Sequence, residues 1–136
     1  MSIIDIPLKQ HKKIVVHATE LANMIRAGKL PDNTSKAART VKRLLLEIVS
    51  HLNVEDQKIY PMMQNHEDSH VRSIGAHFQD EMGKMAPAVV AWGEKWAAQG
   101  TISDDPDGFI NETRGLFKVL KNRIDREETE LYPLLG

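Results

Sequence analysis

The chain has 136 residues and no cysteine, which fits one domain (1–136) and excludes disulfides, thiolate metal sites and cysteine nucleophiles. Its 18 basic and 19 acidic residues leave a net charge of −1, and no basic run indicates nucleic-acid binding. No segment approaches the roughly 20 apolar residues of a membrane span, and the N-terminus lacks a signal-peptide pattern, so we expect a soluble, cytoplasmic protein.

Apolar residues recur at spacings of three and four, the period of a helical face, and predict four helices. They span about residues 7–27, 34–63, 69–99 and 103–133. Gly28 ends the first helix and Gly100 caps the third, because glycine readily adopts a left-handed conformation. The segment Ser103-Asp104-Asp105-Pro106 starts the fourth, with aspartate at the cap and proline at the first helical position. Short connections then predict an all-α, up-down-up-down four-helix bundle.

The inward stripe of the first predicted helix passes through His11 and Val15, and that of the second passes through Ile59 and Met62. In the third helix, either His77 or Phe78 takes the inward position. Ionisable residues interrupt all four stripes, namely His11, His51, Glu55, His77, Glu81, Arg123 and Glu127.

Three glutamates therefore point inward against a single arginine. Buried carboxylates must be paired, protonated or bound to a metal. Residues four apart lie on one side of a helix, so His51 and Glu55, and likewise Arg123 and Glu127, occupy adjacent turns of one face. Iron accepts imidazole and carboxylate ligands, and the pattern predicts a metal site in the bundle core.

A weak internal repeat links the second and fourth helices. Residues 51–63 align without gaps on residues 123–135, and each segment has a polar head, a glutamate four residues on, an acidic neighbour and a Tyr-Pro pair. The two helices thus present the same face to a shared centre. A site bridged by one carboxylate from each helix is one arrangement that this repeat favours.

These motifs resemble those of the hemerythrin-like (HHE cation-binding) family over nearly the whole chain. The resemblance rests on His11 in the first helix, on His51-x-x-x-Glu55 with its following Tyr-Pro, and on Glu-Glu-x-x-Leu-Tyr-Pro from Glu127. It implies two non-haem irons near the middle of the bundle, bridged by Glu55 and Glu127, with histidines of all four helices as further ligands. It also implies that the protein binds or senses dioxygen, nitric oxide or peroxide.

The chain departs from the family pattern at two points. Arg123 replaces the fourth-helix histidine and cannot ligate a metal, because it stays protonated. The third-helix ligand is either His77 or Glu81. One iron position thus loses a nitrogen ligand, and the second iron binds weakly, binds through Glu81 and water, or is absent. We expect Arg123 to pair with an inward carboxylate, Glu81 being favoured; alternatively, it snorkels to solvent.

The residues leave three functions open. The first is a non-haem iron protein that binds or senses a small oxidant, signalling through a protein partner or a homodimer. The second is a diiron enzyme, with peroxide disproportionation the simplest reaction. The third is a metal-free helical interaction module, in which Arg123 and protonated histidines neutralise the inward glutamates. His17 is predicted to lie on the surface, and Tyr60 and Tyr132 to close the end of the core.

Overall fold

A computed structural model describes residues 2–135, and this part of the chain is helical without any strand. Its α-helices are α1 (Asp5–Arg26), α2 (Thr34–Val54), α3 (Tyr60–Gln64), α4 (Ser69–Ala97), α5 (Thr101–Asp104) and α6 (Pro106–Arg126). Two π-helical turns, Glu55–Ile59 and Glu127–Leu131, continue α2 and α6, and a 3₁₀ turn follows at Tyr132–Leu134. Among the described residues, no helix combines the length and the hydropathy needed to cross a membrane.

The four long helices pack in the cyclic order α1, α2, α4, α6, and α6 closes the ring against α1. Neighbouring helices run antiparallel. Gln10 and His17 of α1 contact Ser50 and Glu47 of α2, in reversed order along the chain. The same reversal links α4 to α6 through the pairs Glu81–Arg126 and Lys95–Glu112. The up-down-up-down bundle predicted from the sequence is confirmed.

The predicted helix ends are confirmed to within a few residues. Gly28 and Gly100 have positive φ angles of 69° and 86°, which glycine adopts without a Cβ clash. The Asp105 side chain caps α6 by accepting a hydrogen bond of 3.0 Å from the backbone N–H of Gly108. Pro106 takes the first helical position. The short helix α5 was not predicted.

Two residues placed on the inward stripes face solvent instead. Val15 is 49% exposed, and Ile14 takes its place in the core. A step of either three or four from His11 fits the helical period, so packing decides between the two. Met62 is 43% exposed and Met63 is buried, because the π-helical turn inserts one extra residue and rotates the following helix by one position.

The core has two apolar clusters with a polar layer between them. The larger cluster includes Ile14, Ile48, Val89 and Leu120 and lies toward the end of the bundle that holds α5. The smaller one includes Ile59, Tyr60, Met63, Val71, Phe78, Leu131 and Tyr132. Along α1, α2 and α6, the buried ionisable residues come between members of the two clusters. The bundle thereby encloses its polar layer in apolar surroundings.

Candidate metal centre

Five ionisable side chains meet in this polar layer, and none is more than 4% exposed. Four of them, His11, His51, Glu55 and Glu127, are called the ligand cluster below, and the fifth is Arg123. His11 lies in α1 and His51 in the last turn of α2, while each glutamate opens a π-helical turn. All five were predicted to point inward.

The donor atoms of three cluster residues converge on a single point. His11 Nε2 lies 2.8 Å from Glu127 Oε1 and 3.1 Å from His51 Nε2. His51 Nε2 lies 3.2 Å from the same glutamate oxygen. All three atoms are within 4.8 Å of one another, so His11, His51 and Glu127 can form a metal site.

Two polar residues outside the cluster orient its histidines. His11 Nδ1 donates to Glu128 Oε2 at 2.7 Å, and His51 Nδ1 donates to Gln10 Oε1 at 3.0 Å. With the proton on Nδ1, each neutral ring presents the lone pair of Nε2 to the centre. The centre then consists of acceptor atoms facing one another, which requires a proton or a cation between them.

Glu55 completes the cluster with an unsatisfied carboxylate. Its Oε1 lies 2.8 Å from His51 Nε2, yet both of its oxygens are buried and accept no hydrogen bond. A buried carboxylate without partners is costly, and most buried polar atoms in proteins have one. Two imidazole nitrogens and two carboxylates form a donor set that transition-metal cations accept, so the residues present fit a metal ion.

Burial and the contacts within the cluster together shift the pKa values of its residues. Burial by itself lowers the pKa of His51, but its close contacts with the carboxylates of Glu127 and Glu55 outweigh this and raise the pKa to about 9. Burial raises the pKa of Glu55 to about 7, against the opposing contact with His51. Burial also opposes the ionised form of Glu127, yet hydrogen bonds from His11 and His51 hold its pKa well below the usual value. In the metal-free protein, protons thus occupy the place that suits a cation.

Two tyrosines of the internal repeat adjoin the centre. The Tyr132 hydroxyl donates to Glu127 Oε1 at 3.2 Å, and its ring stacks on His11 with centroids 5.5 Å apart. The Tyr60 hydroxyl accepts a hydrogen bond of 2.8 Å from Arg123. Both tyrosines also belong to the smaller apolar cluster, and their hydroxyls face the polar layer. Their contacts with the site were not predicted, although their equivalent positions in the internal repeat could have indicated them.

Arg123 is held against the other side of Glu127. Its Nε donates to Glu127 Oε2 at 3.0 Å, whereas its contact with Glu81 is 3.5 Å. Glu127 rather than Glu81 is therefore its main carboxylate partner, because it lies four residues on in the same chain segment. At 3% exposure, Arg123 does not snorkel to solvent.

Neither candidate ligand of the third predicted helix joins the cluster of the described residues that can hold a metal. The inward orientation predicted for His77 is wrong, since its side chain is 66% exposed and Phe78 takes the buried position. One residue corresponds to about 100° around a helix, and the apolar ring of Phe78 gains more from burial. Glu81 is one-third exposed and is bound by Arg126 through two hydrogen bonds of 3.0 and 2.9 Å.

One comparison with known proteins, the one with protein families, agrees with this architecture. The family model described as Hemerythrin HHE cation binding domain matches residues 2–135. Neither the curated proteins nor the solved structures gave a match.

Proposed function

The chain belongs to the hemerythrin HHE cation-binding domain family, and on that premise we propose that its ligand cluster binds non-haem iron and that the loaded protein binds or senses dioxygen, nitric oxide or peroxide. The observation that carries the proposal is the buried Glu55 carboxylate, which has no hydrogen-bond partner and faces the convergent donors of the cluster. A bound cation would give both oxygens of this carboxylate the partner that they lack.

The donor set supports iron as the metal. Imidazole and carboxylate suit iron, and the chain has no thiolate with which to build a softer site. Four-helix bundles hold iron through inward glutamates and histidines of this kind. The cluster offers fewer donors than an octahedral ion takes, so iron would keep exchangeable positions at which a small molecule binds.

The surroundings of the cluster support a small ligand. Apolar clusters lie on both sides of the polar layer, and its side chains are almost completely buried. Space for a large substrate is therefore lacking beside His11 and His51. Tyr132 places a hydroxyl beside Glu127 Oε1 and can donate a hydrogen bond at the centre. These features favour a molecule of two or a few atoms.

The experiment that tests the proposal is anaerobic reconstitution with ferrous iron, followed by elemental analysis and visible spectroscopy under each oxidant. We expect wild type to retain iron and to change its spectrum on exposure to at least one of the three. Glu55→Ala and Glu127→Ala should lose most of the iron. His17→Ala is the matched control, because His17 pairs with Glu47 outside the cluster. Wild-type protein without iron, or equal iron in all variants, would refute the assignment.

A further inference from the structure

We propose that the guanidinium of Arg123 occupies the place of a second cation, so that the centre holds one metal ion per chain instead of two. The inference rests on the proposed metal-binding function, which it refines by fixing the nuclearity of the site. It comes from how the side chains around Glu127 are arranged, and three independent features of that arrangement support it.

The first feature is that the two oxygens of the Glu127 carboxylate contact different groups. Its Oε1 faces His11, His51 and Tyr132, at distances of 2.8, 3.2 and 3.2 Å. Its Oε2 accepts a hydrogen bond of 3.0 Å from Arg123 Nε. A carboxylate that bridges two metal ions gives one oxygen to each. Here the second oxygen is already given to a guanidinium.

The second feature is the rigid anchoring of Arg123. Its Nη2 donates to the Tyr60 hydroxyl at 2.8 Å and to the Phe78 carbonyl at 2.9 Å. The guanidinium also lies 4.6 Å from the centroid of the Phe78 ring. Arginine keeps its charge at any physiological pH. A second cation beside Glu127 Oε2 would therefore meet a fixed like charge in an apolar environment, where repulsion is poorly screened.

The third feature is the lack of a further free histidine or carboxylate on that side of Glu127 among residues 2–135. His77 is exposed, and Glu81 is bound through both oxygens by Arg126. The buried carboxylates of the described chain are Glu55 and Glu127 alone. Arg123 and one divalent ion already supply three positive charges against these two negative ones. Neither ligands nor charge balance favour a second ion.

The test is a titration of full-length, metal-free protein with Mn(II), read by elemental analysis and by electron paramagnetic resonance. We expect wild type to bind one ion per chain with the spectrum of an isolated Mn(II). Arg123→His removes the fixed charge and adds a nitrogen donor, so it should bind two ions with a spin-coupled spectrum. Arg126→His is the matched control, because Arg126 also contacts Glu81 and Phe78 but not Glu127, and it should bind one.

Each outcome decides the matter. A coupled pair in wild type overturns the proposal, and so does a single ion in a folded Arg123→His protein, since the limit then lies elsewhere. If circular dichroism shows that Arg123→His is unfolded, Arg123→Gln replaces it, because the amide keeps a donor for Glu127 without the charge. A wild-type protein that binds neither Mn(II) nor ferrous iron overturns the proposed function as well, whereas a coupled pair in wild type overturns the nuclearity alone.

Discussion

At the scale of single residues, the site consists of an inner set of donors and an outer set that orients them. His11, His51, Glu55 and Glu127 could be predicted from the sequence because they interrupt apolar stripes at helical spacing. Gln10 and Glu128 could not be predicted. Each is adjacent in the chain to a cluster residue, but its side chain contacts a histidine of another helix. Only the packing of α1 against α2 and against the turn that follows α6 brings them to the histidine rings.

Glu128 should act as a positioning residue for His11. Its carboxylate accepts from His11 Nδ1 at 2.7 Å and so keeps the Nε2 lone pair turned to the centre. Losing such an outer partner typically weakens metal affinity by about 10–100-fold. We therefore expect Glu128→Ala to raise the Kd for Mn(II) by that factor, measured by calorimetry. Glu130→Ala is the control, because Glu130 pairs with Arg126, four residues earlier, and lies outside the ligand cluster. Equal affinities in the two variants would exclude the positioning role.

Metal affinity should rise with pH. The pKa of His51 is raised from 6.5 to about 9, and that of Glu55 from 4.5 to about 7, in the metal-free protein. Both groups must lose a proton before they bind a cation, so each such proton competes with the metal. Affinity should climb most steeply below about pH 7, less steeply between the two pKa values, and level off above about 9. Mn(II) titrations over this range measure it, and a flat profile would contradict the assigned ligands.

At the scale of elements, helix periodicity predicted the bundle but not its two π-helical turns. The backbone N–H of Tyr60 bonds to the carbonyl of Glu55, and that of Tyr132 to Glu127, each five residues back. Each tyrosine precedes a proline, which has no N–H to continue the α-helical ladder. The predicted repeat is thus a repeat of backbone geometry. A period of 3.6 residues cannot reveal it, which is why Met62 was placed inward.

The approach of α4 to α3 depends on a glycine. A Cβ at Gly75 would lie 2.8 Å from Met63 Cβ, which cannot move without its backbone, whereas a Cβ at Gly83 of the same helix meets nothing within 4 Å. Gly75→Ala should therefore lower the free energy of unfolding by about 1–3 kcal/mol. Gly83→Ala should raise it by about 0.5–1 kcal/mol, because alanine loses less entropy in a helix.

Urea denaturation of both variants measures the difference. Because the two substitutions are chemically identical and lie in one helix, opposite signs isolate the packing of α4 on α3. A Gly75→Ala protein as stable as wild type would mean that the two helices can separate without cost.

At the scale of the whole molecule, four helices hold two apolar clusters apart with a layer of charge. The fold class followed from amphipathic periodicity and short connections. The side of α4 that faces the polar layer could not be predicted from periodicity. His77 and Phe78 are adjacent, and the larger apolar ring of Phe78 takes the buried position. The nuclearity of the centre also depends on tertiary contacts, since only these show which oxygen of Glu127 meets Arg123.

Stability should depend on pH and on metal together. The raised pKa of His51 contributes stability below about pH 6.5 that is lost as the pH rises through about 9. The raised pKa of Glu55 acts in the same direction, and its contribution is lost as the pH rises through about 7. The metal-free protein should thus become less stable as pH rises, while bound metal stabilises the fold by about 2.7 kcal/mol at a hundredfold excess over its Kd.

The gap in Tm between loaded and metal-free protein should therefore widen from about pH 6 to about pH 9. Differential scanning calorimetry on the two forms measures it. His17→Ala should show the same widening, because His17 lies outside the cluster. A gap that stays constant over this range would show that cluster protonation and metal binding are not linked, and a gap that narrows would contradict the sign of the linkage.

The most direct test of the proposed metal centre is an anomalous difference map, recorded at the iron absorption edge, from a crystal of the ferrous-loaded protein. We expect one peak per chain, enclosed by the side chains of His11, His51, Glu55 and Glu127, with Arg123 still bound to Glu127. A peak beside His77 and Glu81, or no peak within the bundle, would contradict the proposed centre.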